Sequence, residues 1–272
     1  MGILYDRLLI LLNETSSDST FYHIAMVMLQ NMRLLHRLAI NEVADLCCVS
    51  KSTISKFIRA LGYEDYAEFR EAARIAENKY HVSYNFAVDV IGYLEKHTVQ
   101  EYTQEIAKDI QLTAQQLDWT AIERLVQDLI HYEKVFALGL MFSATAATDL
   151  QTKLGRCGKF IVATRNDLMQ ADNIARADEN TLLIVFSESG QYLNRYHEID
   201  DFYHKDIFNA TKAKIVLITS DEEMAHDPRV TYSILFRRGD KVHTHRMTYP
   251  FLTDMIAWRY YEATHPKPGI PE

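Results

Sequence analysis

A chain of 272 residues exceeds an ordinary single domain and has the length for two, at least one of them with a sizeable core. A net charge of −8 and a sequence pI of about 5.8 exclude indiscriminate coating of nucleic acid or of an anionic membrane, so any DNA contact has to be local. The early apolar run Leu8 to Leu12 is too short to span a bilayer and lacks the basic start and cleavage site of a signal peptide, so a cytoplasmic protein with no membrane partner is expected. Asp6 breaks the myristoylation pattern after Gly2. Cys47, Cys48 and Cys157 form neither an even disulfide set nor a Cys-x-x-Cys pair, which suits a reducing compartment and small buried apolar roles.

Along the chain, the polar cluster NETSSDST offers Ser17, Asp18 or Ser19 as the cap of a helix predicted from about Thr20 to Leu38. Ile24, Val27, Met28, Leu34, Leu35 and Leu38 repeat there near the helical period, and a methionine-containing stripe of this kind is core. The next stretch, Asn41 to Gly62, reads as two short helices joined by a tight turn. Asn41 caps the first, with Val43, Leu46 and Cys47 on its apolar face, and Ser50 caps the second. In the second helix Ile54, Phe57, Ile58 and Leu61 share one face, and Ser52, Ser55, Lys56 and Arg59 share another. One stripe packs while the other is free to meet DNA, where hydroxyls, Lys and Arg contact phosphates and base edges in the major groove. The candidate DNA-contacting residues are Ser50, Lys51, Ser52, Thr53, Ser55, Lys56 and Arg59. The same spacing also describes an ordinary amphipathic surface helix. A further helical segment with Tyr66, Phe69 and Ala73 on one side closes this domain, assigned to residues 1–80.

Residues 81–117 carry a weaker helical pattern and are predicted to be a helical linker, and Trp119 to His131 is another amphipathic helix. From Val135 short apolar runs (VFALG, KFIVA, TLLIVF, KIVLIT, YSILF) alternate with helix-sized stretches, the pattern of a parallel sheet buried on both faces. The fold class is therefore α/β, with an all-helical N-terminal domain followed by an α/β sandwich on a five-stranded parallel sheet over residues 118–263 and a frayed tail over 264–272. In such sheets the ligand crevice lies at the carboxyl ends of the strands, here Gly139 to Ser143, Ser187 to Gln191 and Thr219 to Asp221. His243 and His245, with His226 upstream, lack the cysteines or carboxylates of a metal set, so no metal and no cofactor are expected.

Three stretches together carry a resemblance. VSKSTISKFIRALGYEDYAEF, together with GLMFSATAATDLQTKLGRCGK and FSESGQ, resembles the RpiR (MurR/RpiR) family of bacterial transcriptional regulators, in which a helix-turn-helix precedes a sugar-isomerase (SIS) domain. Asn166, Asp167 and Gln170 stand in the family's order after the second strand. The resemblance implies binding of a phosphorylated sugar or amino sugar by loop hydroxyls and backbone N–H groups, with Gly139, Ser143, Ser187, Glu188, Ser189, Gly190 and Gln191 as the ligand-binding residues. Convergent N–H and hydroxyl donors at helix starts suit a phosphate dianion without any lysine. Two positions depart from the pattern: Met141 replaces the second glycine of Gly-x-Gly-x-Ser, and Leu168 replaces a common histidine.

The expected function is a regulator of carbohydrate metabolism that binds operator DNA as a dimer or tetramer and senses such a sugar. A sugar-phosphate isomerase or lyase on the same scaffold is the enzymatic alternative, and a SIS domain that only dimerises is the third. Isomerisation needs a positioned base. Glu188, His197 and His243 are the candidates near the loops, none in a recognisable pair, and no catalytic residue is assigned.

Overall fold

The computed structural model describes residues 3–79, 90–194, 207–237 and 245–266. The chain divides into two compact units, Met1–Gly92 and Tyr93–Glu272.

The first unit is helical. Its opening helix α1, Ile3–Glu14, was not anticipated as a helix, although Leu4 and Leu8 sit one turn apart and are fully buried. Ser19 caps α2, Thr20–Gln30, by accepting from the Tyr22 N–H at 3.0 Å. The single helix expected to reach Leu38 is broken at Asn31, whose amide donates back to the Val27 carbonyl at 2.8 Å, and the chain resumes as the short α3, Met32–Leu35. That break shifts the apolar phase, so Met28, Met32 and Leu35 are buried whereas Leu34 is exposed. The helices α4, Ile40–Leu46, and α5, Lys51–Ala60, follow, and α6, Tyr66–Lys79, starts on Asp65, whose carboxylate accepts from the Ala67 and Glu68 N–H groups. Their buried faces meet in one core that includes Leu8, Ile24, Val43, Ile54, Phe57 and Phe69, with Phe21 edge-on to Phe57 at 5.3 Å.

The second unit contains a fully parallel sheet in the order β2-β1-β3-β4-β5. Its strands are β1, Lys134–Leu138; β2, Val162–Ala163; β3, Thr181–Phe186; β4, Lys214–Thr219; and β5, Tyr232–Leu235. Both faces are covered, and the alternation of side chains along a strand shows it. On β3, Leu182, Ile184 and Phe186 enter one core, while Leu183 and Val185 enter another. The first core is filled by α9, Trp119–His131, α10, Phe142–Arg156, and α13, His245–Thr264. The second is covered by α11, Asp167–Ala175, and α12, Ile207–Ala210. The short α7, Gly92–Leu94, lies at the boundary between units.

The stretch read as a linker divides. Residues 81–89 lie outside the described residues, and α8, Val99–Gln116, packs within the second unit. Asp109 and Thr113 of α8 are buried, and Thr113 Oγ1 donates to the Arg237 carbonyl at 3.2 Å while accepting from the Arg237 N–H at 3.0 Å. Polar residues had masked that face, because its partners lie far along the chain. Lys153 joins α10 to α13, with Asp149 and Asp254 carboxylates each 2.7 Å away and the Thr253 hydroxyl at 2.9 Å.

Candidate functional site

In the first unit the candidate surface is the outer face of α5. Ser50 caps this helix: its Oγ accepts from the Thr53 N–H at 3.1 Å and lies 2.8 Å from the hydroxyls of both Ser52 and Thr53. Ile54, Phe57, Ile58 and then Leu61 are buried, which turns Lys51, Ser52, Lys56 and Arg59 outward, with Thr53 and Ser55 half-buried. Ser55 also donates to the Lys51 carbonyl at 3.2 Å. The turn from α4 into α5 passes through Cys48, which is exposed at φ 53°, in the left-handed region that β-carbons disfavour.

Two details of this motif differ from expectation. Asn41 is not the cap of α4; the helix starts one residue earlier, and the Glu42 carboxylate accepts from the Ala39 N–H at 2.6 Å. Leu46 is exposed rather than part of the packed face, because α4 ends there, while Val43, Ala44 and Cys47 are buried in the core and Ile40 packs against it. Burial pushes the Cys47 thiol up to about 11, so it behaves as an apolar side chain. Tyr66 anchors α6 to the chain before α4 by donating to the Leu38 carbonyl at 2.8 Å, and burial raises its hydroxyl to about 12.

The second candidate site lies where the strand order reverses, between β1 and β3. The register Leu138↔Val185 brings the ends of these strands abreast, so the loops 139–143 and 187–191 leave the sheet side by side. The first loop is a tight turn closed by the Ser143 N–H donating to the Leu140 carbonyl at 3.0 Å. Met141, at φ 53° and ψ −117°, holds a conformation that glycine adopts without strain and other residues do not. Gly139 has no alternative: a β-carbon there would lie 2.7 Å from the Ser143 backbone carbon. Ser143, half-buried in the first turn of α10, lies 3.2 Å from the hydroxyl of the buried Tyr249.

The second loop is bound from within. Ser187 is buried and its Oγ accepts from the Tyr192 N–H at 3.3 Å; Glu188 is buried, and its carbonyl accepts from the hydroxyls of Thr219 and Ser220 at 2.8 and 3.1 Å. Gly190, at φ 69°, closes the turn with its N–H on the Ser187 carbonyl. The N–H groups of Ser143, Ser187 and Gly190, expected to face a ligand, are therefore engaged inside the protein. The half-buried Ser189 hydroxyl has no hydrogen-bond partner among the described residues, and the side-chain oxygen of Gln191 accepts only a long contact, 3.4 Å, from Asn194. Arg229 supports the far end of this loop by donating to the Leu193 carbonyl and to Asn194, and the adjacent guanidinium holds the Asp227 carboxyl below its usual range.

One buried side chain, Gln170 of α11, meets both loops; its position in the family's order was noted, its contacts were not legible. Asn166 caps that helix by accepting from the Leu168 and Met169 N–H groups, and Leu168 and Met169 are exposed. His197 and His243 lie outside the described residues. His226 is held by its ring nitrogen near the Glu222 carbonyl, and among the described residues no three His, Cys, Asp or Glu side chains form a metal cluster.

A helical unit with an outward basic helix, joined in one chain to a doubly wound α/β unit, defines the class. Residues 13–77 match the family described as the helix-turn-helix domain of the rpiR family, and the first unit is such a domain. The chain is 29% identical over 170 residues to the HTH-type transcriptional regulator HexR of Pseudomonas aeruginosa, covering 62% of this chain and 59% of that protein. It is 26% identical over 153 residues to the uncharacterized HTH-type transcriptional regulator YbbH of Bacillus subtilis, covering 56% and 53%. The chain thus spans between about half and six-tenths of the length of these two relatives. Among solved structures it is similar to the Vibrio vulnificus NanR protein complexed with ManNAc-6P, with a TM-score of 0.52 and 18% identity over 97% of this chain and 93% of that one. That likeness is one of fold. No helix among the described residues is long and apolar enough to cross a membrane.

Proposed function

We propose that this protein is a DNA-binding transcriptional regulator of carbohydrate metabolism, in which α5 reads an operator and the crevice between β1 and β3 senses a phosphorylated sugar or amino sugar. The observation that carries the reading is the Ser50-capped helix with Lys51, Ser52, Lys56 and Arg59 outward, inside a segment that matches rpiR-family helix-turn-helix domains. With a net charge of −8, attraction to DNA has to come from this local face. A single short helix offers few contacts, so two copies addressing two half-sites about one helical turn apart fit the need, and the operator is an imperfect palindrome.

The likeness in fold to NanR, which was solved in complex with ManNAc-6P, supports the effector half of the proposal. Hydroxyls of Ser143, Ser189 and, after a turn of its own loop, Ser187 supply donors to an anion in loops that contain no lysine or arginine. Effector binding shifts operator affinity when the ligand prefers one arrangement of the paired DNA-binding units, and typical couplings of about 1–3 kcal/mol change it some five- to 150-fold. In this reading the crevice binds without turnover, and Glu188, whose carbonyl holds the next loop, is a loop-shaping residue rather than a base.

The decisive experiment is operator binding by fluorescence anisotropy, using DNA flanking the protein's own gene. Lys56→Ala combined with Arg59→Ala, in a protein that keeps its helical signal, weakens specific binding by about 1–3 kcal/mol per lost base contact, and loss of phosphate contacts flattens the salt dependence. Unchanged affinity in the double variant would exclude α5 as the reading helix.

A further inference from the structure

Gln170 is fully buried, and its amide is completely used. Its Oε1 accepts from the Gly139 N–H at 3.1 Å and from the Tyr192 hydroxyl. Its Nε2 donates to the Gly139 carbonyl at 2.8 Å and to the Thr164 carbonyl at 2.7 Å. Two donors and two acceptors exhaust what a carboxamide offers. These partners belong to three different segments: Gly139 follows β1, Thr164 follows β2, and Tyr192 closes the loop after β3. The crevice opens where β1 parts from β3, so one side chain ties both of its walls to a third strand end.

We infer that Gln170 is the positioning residue of the effector site, setting the spacing between loops 139–143 and 187–191 without touching the ligand. The inference rests on the effector reading given above. Its chemistry distinguishes it from simple packing. Gly139 is gripped at both its N–H and its C=O by one planar group, and since these belong to the two peptide planes on either side of its Cα, both planes are held in orientation as well as in place. Gly139 is the position at which no β-carbon fits beneath Ser143. Tyr192 carries the same constraint to the second loop, since its own N–H donates to the Ser187 hydroxyl. A displacement at Gln170 therefore reaches Ser143 through Gly139 and reaches Ser187 through Tyr192. No apolar residue of the same size reproduces this, because it would leave a buried N–H and two buried carbonyls without partners.

Glutamate tests the hydrogen-bond logic. In its protonated form it keeps the acceptor for Gly139 and Tyr192 and donates to one of the two carbonyls; ionised, it turns a negative oxygen toward both. Among the described residues, the titratable group that the hydrogen bonds place against it is the Tyr192 hydroxyl. Two measurements are made on the full chain: amide hydrogen exchange without ligand, and calorimetry against a panel of sugar and amino-sugar phosphates at pH 5 and pH 8. In Gln170→Leu, exchange is expected to rise together in segments 139–143, 164–166 and 187–192, with helix α9 unchanged, and the affinity of whichever panel member binds the wild type to fall by about tenfold or more, as when a supporting partner of a bound group is lost. In Gln170→Glu the loss, measured against wild type at the same pH, is smaller at pH 5 than at pH 8. If the wild type binds and Gln170→Leu binds equally well, the positioning role is overturned while the effector reading stands. If no panel member binds the wild type, the effector reading falls, and exchange alone decides the brace: a rise in all three segments keeps it, and a rise confined to Gly139 overturns it.

Discussion

The outward face of α5 and the crevice between β1 and β3 are positioned over very different distances along the chain. The start and the phase of α5 are set within a few residues: the Ser50 cap reaches Thr53, and the stripe of Ile54, Phe57 and Ile58 follows from helical spacing. The crevice is held by pairs such as Gly139 with Gln170, Tyr192 with Gln170, and Ser143 with Tyr249, the last separated by 106 positions. A local device tolerates change elsewhere in its unit provided the helix folds. A non-local one is only as precise as the packing of the whole sheet.

The largest expected effect tests whether the two units answer separately. Phe57 is fully buried against Phe21, and Phe57→Ala is expected to destabilise the first unit by about 3–5 kcal/mol. Both tryptophans, Trp119 and Trp258, lie in the second unit, so tryptophan fluorescence follows that unit alone while far-ultraviolet circular dichroism also registers the helices of the first. The dichroism transition should move and the fluorescence transition should not; a joint shift would show that the units unfold as one. Gly139→Ala addresses the other side. With the Ser143 backbone carbon, Cβ and carbonyl all within 2.9 Å of the added methyl, it should destabilise the second unit by about 1–3 kcal/mol and displace Ser143, seen as a lower fluorescence midpoint in urea.

A smaller effect of opposite sign is expected at Met141. Its backbone strain is of order 1–3 kcal/mol, and the extra freedom of glycine in the unfolded chain offsets about 0.4–1 kcal/mol of the relief, so Met141→Gly should stabilise the second unit by about 1 kcal/mol, seen as a higher urea midpoint. A drop in stability would mean that the methionine side chain contributes more packing than its backbone conformation costs. The smallest effect is alkaline. Tyr66 donates as a neutral hydroxyl and titrates at about 12 in the folded first unit, against about 10 when unfolded, so its contribution is whole below pH 10 and is lost as the pH rises through 12. Tyr232, half-buried and donating to the Asp128 carboxylate at 2.7 Å, is raised further. Between pH 10 and 12 the first unit should therefore lose stability, and Tyr66→Phe should remove that pH dependence from the dichroism signal while leaving the fluorescence transition of the second unit unchanged.

The same contrast in range explains what the sequence disclosed. The α5 stripe, the Ser50 cap, the span Trp119–His131 and the five apolar runs are short-range patterns, and each could be read directly. Short-range features failed where a single residue had two roles: Asn31 ends α2 by bonding back to Val27, and Asn41 lies inside α4 rather than capping it. In α1 the signal is the spacing of Leu4 and Leu8, one helical turn apart and both buried. The packing of helix α8, read as a helical linker, and the contacts of Gln170 lie beyond such patterns for another reason. Their partners, Arg237 for Thr113 and Gly139, Thr164 and Tyr192 for Gln170, come together only once the strands are ordered. Residue order alone could mark Gln170 as matching a pattern; only the hydrogen bonds say what it holds.

The turn at Gly190 has a consequence for how such a crevice can diversify. A β-carbon there would come within 2.3 Å of the Met224 Cβ, which belongs to the loop after β4. Since the obstructing atom is itself a β-carbon, trimming Met224 to alanine would leave the clash in place, and the positive φ would remain unfavourable. Position 190 is thus closed to single mutational steps, and a selection for new ligands would find its accessible routes at the half-buried neighbours Ser189 and Gln191. A library that randomises the whole turn would spend most of its members on folds that never form, whereas one that fixes Gly190 and varies the residues on either side searches ligand chemistry without leaving the architecture.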